Sequence, residues 1–131
     1  MTVYDSSVLI EYLDGDSTAV EYVKRHADER AVAPPLVAFE VYQGEVFKSC
    51  PADFDALDSA LEWVVFLDET LDLARAAAEL QNELHRQGQA LSPRDAYIAG
   101  TATALDESLV VADADFDVEG LTELLDVEFL A

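Results

Sequence analysis

The chain has 131 residues, enough for one compact domain. Hydrophobic residues make up 51% of it, which excludes a disordered acidic tail, and no apolar run approaches the length of a membrane span. Acids outnumber bases 28 to 7, a net charge of −21, so the field of the whole chain repels nucleic acid at low salt and opposes its own compaction.

In chain order, Thr2–Asp5 is a short β-rich start with an acid at its end. Ser6–Leu13 reads as a helix closed by Asp14-Gly15-Asp16, and Thr18–Glu29 as a second helix. Ala31-Val32-Ala33 is a short buried strand stopped by Pro34-Pro35, and Pro35 can occupy the first position of the helix Leu36–Lys48. Pro51–Glu62 is another helix and Trp63–Leu67 a continuous apolar strand. Glu69–Gln87 carries Leu73, Ala76, Ala77, Leu80 and Leu84 at helical spacing, and Gly88 ends it. Ser92–Leu105 is a helix of small apolar residues. Leu109–Ala112 is a buried strand, Asp113–Asp117 an acidic turn and Val127–Leu130 a last strand. Strands alternate with helices throughout, with no repeat or linker. The expected fold is therefore a single α/β domain over residues 1–131, with a central parallel sheet of about 4–5 strands and helices on both faces. Ligands of such sheets bind beyond the carboxyl ends of the strands, where strand order switches. Asp5 and Asp113 both follow strands and are expected to line that crevice.

The acids are spread evenly over a chain that keeps its core. That pattern suggests a halophile's cytoplasm, where the Debye length falls to about 3 Å near 1 M salt. The single cysteine, Cys50, cannot form an internal disulfide and fits a reducing cytoplasm, most simply as a small buried hydrophobe. The start Met1-Thr2-Val3-Tyr4 carries no basic segment or cleavage site, so no signal peptide is expected.

Most of the acids must be solvated surface, and the informative ones sit where an acid is costly. On a helical wheel Glu40 is surrounded by Leu36, Val37, Gly44 and Phe47, so it interrupts an apolar stripe. A buried carboxylate needs a metal or a cationic partner. Pairing with an arginine is the plainer reading, and seven basic residues leave few candidates for it, which favours function. Ser92-Pro93-Arg94-Asp95 has the form of a capping box, which by itself accounts for Asp95, yet Asp95 also shares a face with Ile98, Ala99 and Ala102. Asp5 can be an N-cap for the first helix, and Asp113, Asp115 and Asp117 can be turn residues. Arg94 is the basic residue best placed to lie near substrate or metal ligands. His26 and His85 carry no supporting pattern, and there is no zinc spacing and no glycine-rich phosphate loop.

Taken together, these stretches resemble the PIN-domain ribonucleases, and most closely the VapC-type toxins of toxin–antitoxin pairs, over nearly the whole chain. Val3-Tyr4-Asp5-Ser6-Ser7-Val8-Leu9-Ile10 is similar to the family's opening strand, which ends in a metal-binding aspartate followed by a hydroxyl residue. Glu40 followed by Gly44 is similar to its first glutamate, and the stretch from Ser92 to Ala102 to its aspartate-bearing helix. Leu109-Val110-Val111-Ala112-Asp113-Ala114-Asp115-Phe116 is similar to the strand and acidic turn that close the site. Val111 stands where the family often has Thr or Ser, and the surface is less basic than is usual there.

The resemblance implies hydrolysis of RNA phosphodiester bonds with Mg²⁺ or Mn²⁺, hard cations that favour oxygen ligands. It implies Asp5 and Asp95 as primary ligands, completed by Glu40 and Asp113, with Asp115 as the alternative fourth acid. A cognate antitoxin that covers the site, often through an arginine, and a homodimer are further implications. Two rivals remain. One is a non-catalytic PIN-like binding module. The other is a receiver-like or phosphatase-like domain using an aspartate of Asp113-Ala114-Asp115, which needs a lysine or hydroxyl beside the phosphate. The two lysines, Lys24 and Lys48, lie on early helices.

Overall fold

The computed structural model describes residues 1–49, 51–68 and 70–130. Cys50 and Glu69, the first residue of the expected fifth helix, lie outside the described residues. Five strands form one sheet: β1 Thr2–Tyr4, β2 Ala31–Ala33, β3 Val64–Phe66, β4 Ser108–Val111 and β5 Val127–Phe129. Seven helices accompany them: α1 Ser6–Leu13, α2 Ser17–Arg25, α3 Pro35–Lys48, α4 Phe54–Ala60, α5 Leu71–Arg86, α6 Pro93–Leu105 and α7 Glu119–Leu124. A 3₁₀ turn, Ala114–Phe116, lies inside the expected acidic turn.

The strand order is β3-β2-β1-β4-β5, and every pairing is parallel. Consecutive side chains of a strand point to opposite faces. Thr2, Val3 and Tyr4 are all buried, as are Ala31, Val32 and Ala33, so both faces of the central sheet are covered. The edge strands are more open: Val65 on β3 and Phe129 on β5 are exposed. Parallel pairing needs a crossover between strands, and the helices supply it. The chain winds outward from β1 through β2 to β3, then returns to β1's other side with β4 and β5. The switch point is therefore the gap between the ends of β1 and β4. The Asp5 amide crosses it, donating to the Val110 carbonyl at 3.1 Å.

Several boundaries differ from the sequence expectation, each through a local hydrogen bond. Helix α2 ends at Arg25 instead of continuing to Glu29, because the His26 ring takes the Tyr22 carbonyl at 2.8 Å and stacks on the Tyr22 ring. Helix α4 starts at Phe54, where Asp53 accepts from the Ala56 amide. Trp63 lies in a turn before β3, its indole N–H donating to the Ala60 carbonyl at 3.1 Å. Helix α7 was not expected at all. It is one short stretch anchored by buried Leu121.

Helix α6 is buried on nearly all sides, from Asp95 and Ala96 to Ile98–Ala102. Its small residues allow this, because they let α5 approach closely. A Cβ added at Gly100 would lie 2.3 Å from the Ala77 Cα and 2.8 Å from its amide nitrogen. Backbone atoms cannot rotate out of the way. Gly100→Ala should therefore cost about 2–3 kcal/mol of stability. Gly44→Ala, which meets nothing nearer than the Ile10 Cδ1 at 4.0 Å, should gain about 0.5–1 kcal/mol from helix propensity. Urea unfolding at fixed salt reads both, and equal midpoints for the two variants would contradict the close α5–α6 packing.

Candidate active site

Asp5 leaves the end of β1 and caps α1. Its Oδ2 accepts from the Ser7 amide at 3.1 Å and from the Ser7 hydroxyl. The Ser7 hydroxyl also accepts from the Ala112 amide at 3.0 Å, which ties the first turn of α1 to the end of β4. This leaves Oδ1 of Asp5 buried with no hydrogen-bond donor. Its nearest cation is the Arg94 Nη2 at 3.6 Å. Burial pushes the Asp5 carboxyl above its ordinary range; the Ser7 bonds and Arg94 pull it down, and Glu40 adds to the rise.

Arg94 is the second residue of α6, between Pro93 and Asp95, with Ser92 capping the Asp95 amide at 3.2 Å. Its guanidinium forks onto Glu40 through Nε and Nη2, with Nη2 3.0 Å from Oε1. Nη1 contacts Asp95 Oδ1, and Nη2 also donates to the Ser6 hydroxyl at 2.9 Å. Ser6 in turn donates to Glu40 Oε1 at 3.0 Å. One guanidinium thus joins Asp5, Glu40 and Asp95. These side chains are 0%, 17% and 5% exposed, whereas Arg94 is 36% exposed and sits toward the mouth. The bonds to Glu40 are the main cause of the raised Arg94 pKa, so it stays charged.

Glu40 is placed differently from the wheel expectation. The core face of α3 is Val37 and Val41, and Phe47 is 81% exposed, so no continuous apolar stripe encloses Glu40. What holds it is the pairing with Arg94 and Ser6. The arginine partner considered from sequence is thus present, and it is Arg94.

Asp95 belongs to a second group as well. Among the described residues, Asp95, Asp113 and Asp115 offer oxygens that lie within 4.8 Å of one another, close enough to share a cation. Asp95 is buried, Asp113 half-buried and Asp115 exposed on the 3₁₀ turn. Asp113 starts that turn by accepting from the Asp115 amide at 2.9 Å. Burial is the first cause of the raised Asp95 pKa, and Asp113 and Asp115 add to it against the pull of Ser92 and Arg94. The four acids singled out from sequence therefore meet in two overlapping sets that share Asp95, and Asp115 joins Asp113 in the second. The hydroxyls at the crevice come from Ser6 and Ser7, while Val111 is fully buried in the core. The linking role of these two serines was not read from sequence; the hydroxyl pair directly after a strand-end aspartate is the signal that marks it. Lys48, one of the two lysines that a phospho-acceptor aspartate at Asp113 or Asp115 could call on, is engaged with Asp14 instead.

The residues present fit a hard divalent cation. The candidate ligands are all carboxylate oxygens, and one of them, Asp5 Oδ1, is buried without a donor.

A family model described as the PIN domain matches residues 2–119. A chain of the VapBC2 complex of Rickettsia felis, solved with a DNA fragment from its promoter, is similar in structure. Its TM-score is 0.81 at 19% identity, over 99% of this chain and 98% of that one. The DNA-bound VapBC of Salmonella typhimurium gives 0.78 at 18% identity, over 98% and 96%. A toxin–antitoxin complex from Klebsiella pneumoniae gives 0.74 at 20% identity, over 88% and 90%. At these identities the likeness concerns the fold. A search of curated protein sequences finds no match.

With its pKa raised in the fold, Asp5 keeps a proton at pH values where the unfolded chain has released it. Stability linked to that proton is present at low pH and is lost as pH rises from the ordinary carboxylate range, near about 4, through the raised value. Asp5→Asn keeps the cap and never ionises. In chelator at high salt, the variant's melting temperature relative to wild type should therefore rise with pH from about 4 to about 8. A difference that stays constant over that range would contradict the raised pKa.

Proposed function

The chain belongs to the PIN domain family, and from that membership we propose that it is a Mg²⁺- or Mn²⁺-dependent ribonuclease, the toxin of a toxin–antitoxin pair. The observation that carries this reading is the buried, donor-free Oδ1 of Asp5 in the crevice that Arg94 shares among Asp5, Glu40 and Asp95. An anionic oxygen held dry without a donor is costly unless a cation completes it.

In this reading Asp5 and Asp95 are the primary ligands, and Glu40 and Asp113 complete the site as ligands or by orienting water. Asp115 is the alternative to Asp113. A bound divalent ion would supply a water of lowered pKa and positive charge opposite the attacked phosphate. The chain's own residues set the frame. Ser7 fixes the Asp5 carboxylate against the end of β4, and Ser92 fixes the first turn that carries Asp95. Asp113 is half-buried and Asp115 exposed, so both are placed to accept hydrogen bonds from water.

The acidic surface bears on the substrate. A net charge of −21 gives little attraction for an RNA backbone beyond the site itself. A halophile's cytoplasm would screen the repulsion. The solved relatives include complexes named for toxin and antitoxin, which supports a cognate antitoxin as partner. An arginine from such a partner would find carboxylates that already accept a guanidinium fork from Arg94. The same family likeness supports a homodimer. One observation favours a second reading, a non-catalytic binding module: Arg94 already pairs with Glu40 and Asp95 in the cluster. That reading predicts no metal-dependent cleavage.

An RNA-cleavage assay in high salt with Mg²⁺ or Mn²⁺ separates the two. Asp5→Asn and Asp95→Asn should each lose at least about 100-fold in rate, and chelator should abolish cleavage by wild type. Equal activity in all three proteins would overturn the assignment. RNA binding should also fall by less than about tenfold between 50 and 200 mM salt, against the roughly 10³–10⁵-fold loss of a protein making many phosphate contacts. A steep loss would point to a basic surface that the sequence does not provide.

A further inference from the structure

The contacts of Arg94 are graded. Glu40 receives two prongs of the guanidinium, Asp95 receives one, and Asp5 lies at 3.6 Å with no hydrogen bond. The Arg94 side chain is also the most exposed member of the cluster, at 36% against 0% for Asp5 and 5% for Asp95. It is therefore held by Glu40 and Ser6 and is partly open to solvent. The acids that receive fewer bonds than Glu40, one for Asp95 and none for Asp5, are the two assigned as primary metal ligands. Two cations cannot share their oxygens without strong mutual repulsion at contact distance.

We propose that Arg94 is a tethered countercation of the carboxylate site: it offsets part of the charge of Asp5 and Asp95 in the metal-free protein and releases both, while keeping Glu40, when a divalent ion is held. The proposal rests on the metal-nuclease reading above and concerns the chain's own cation rather than the reaction. It gives a physical account of how the buried acids are tolerated without a metal. Two buried carboxylates, and a third that pairs with Arg94, need positive charge nearby when ionised. The same contact has a second consequence. The apparent metal affinity is the intrinsic affinity reduced by the fraction of molecules in which Arg94 has let go.

Mn²⁺ binding to the full chain, followed by electron paramagnetic resonance or calorimetry at high salt, tests this without an activity assay. Arg94→Ala should bind Mn²⁺ about tenfold more tightly than wild type, which corresponds to release of Arg94 in roughly a tenth of wild-type molecules. Arg94→Lys, which keeps a charge but cannot fork onto Glu40, should fall between the two. Metal-free Arg94→Ala should also melt below wild type, with the larger rise when Mn²⁺ is added. Near-UV circular dichroism checks that each variant is folded; if Arg94→Ala is not, the comparison of Arg94→Lys with wild type carries the test. Wild type that binds Mn²⁺ as tightly as the folded variants, or more tightly, overturns the proposal alone. Absence of Mn²⁺ binding in all of them overturns the metal-nuclease reading and the proposal with it.

Discussion

Asp5 and Asp95 are the buried acids among the described residues, and Arg94 is the cation placed between them. In a chain with 28 acids, most carboxylates are exposed and cost little. These two are enclosed by a sheet end and a helix start, where an ionised group loses its hydration. A guanidinium suits the position because it is always charged and offers donors in several directions. Its bonds to Glu40, Asp95 and Ser6 draw α3, α6 and α1 together at the carboxyl end of the sheet. The shape of the crevice and its charge balance thus depend on one side chain.

The scaffold around that side chain is stiff. The Asp5 carboxylate is fixed by Ser7, and Ser7 by the end of β4. The helix carrying Asp95 is buried on almost every side and meets α5 through Gly100 and Ala77. A site that must present several oxygens to one point needs such stiffness, because small displacements change which oxygens converge. Arg94 differs from the acids in this respect. It has a long side chain that is 36% exposed, so the rigid part of the site consists of the acids and the adjustable part is the cation.

Elsewhere the negative charge is placed where it does least harm. Asp16 and Asp53 cap α2 and α4, where the helix dipole favours an anion. Several bases pair with acids at the surface: Arg75 with Glu79 and Arg86 with Glu83 within α5, and Lys48 with Asp14 across 34 residues. Exposed pairs of this kind contribute little. The fold therefore depends on its apolar core, in which Val3, Val32, Leu109, Val110 and Phe116 are fully buried. No described helix is long and apolar enough to cross a membrane.

The alternation of strands and helices, the proline and serine signals that start α3 and α6, and the strand-end position of Asp5 were all legible in the sequence. They depend on neighbours a few residues away, and periodicity and capping act over that range. The parallel sheet followed from the same alternation. Tertiary structure alone decided what each acid meets. Glu40 finds Ser6 at a separation of 34 residues and Arg94 at 54, and Arg94 finds Ser6 at 88. A helical wheel cannot supply such partners, which is why it assigned Glu40 an apolar surrounding that the fold does not provide. The early end of α2, the late start of α4 and the short α7 likewise follow from individual hydrogen bonds and one buried leucine, not from a repeating pattern. The sequence by itself determined which acids stood at strand ends and helix starts. Only the packing of α1, α3 and α6 against the sheet decided that Asp5 and Asp95 would share one arginine with Glu40 from inside α3, because that contact exists only where distant segments converge.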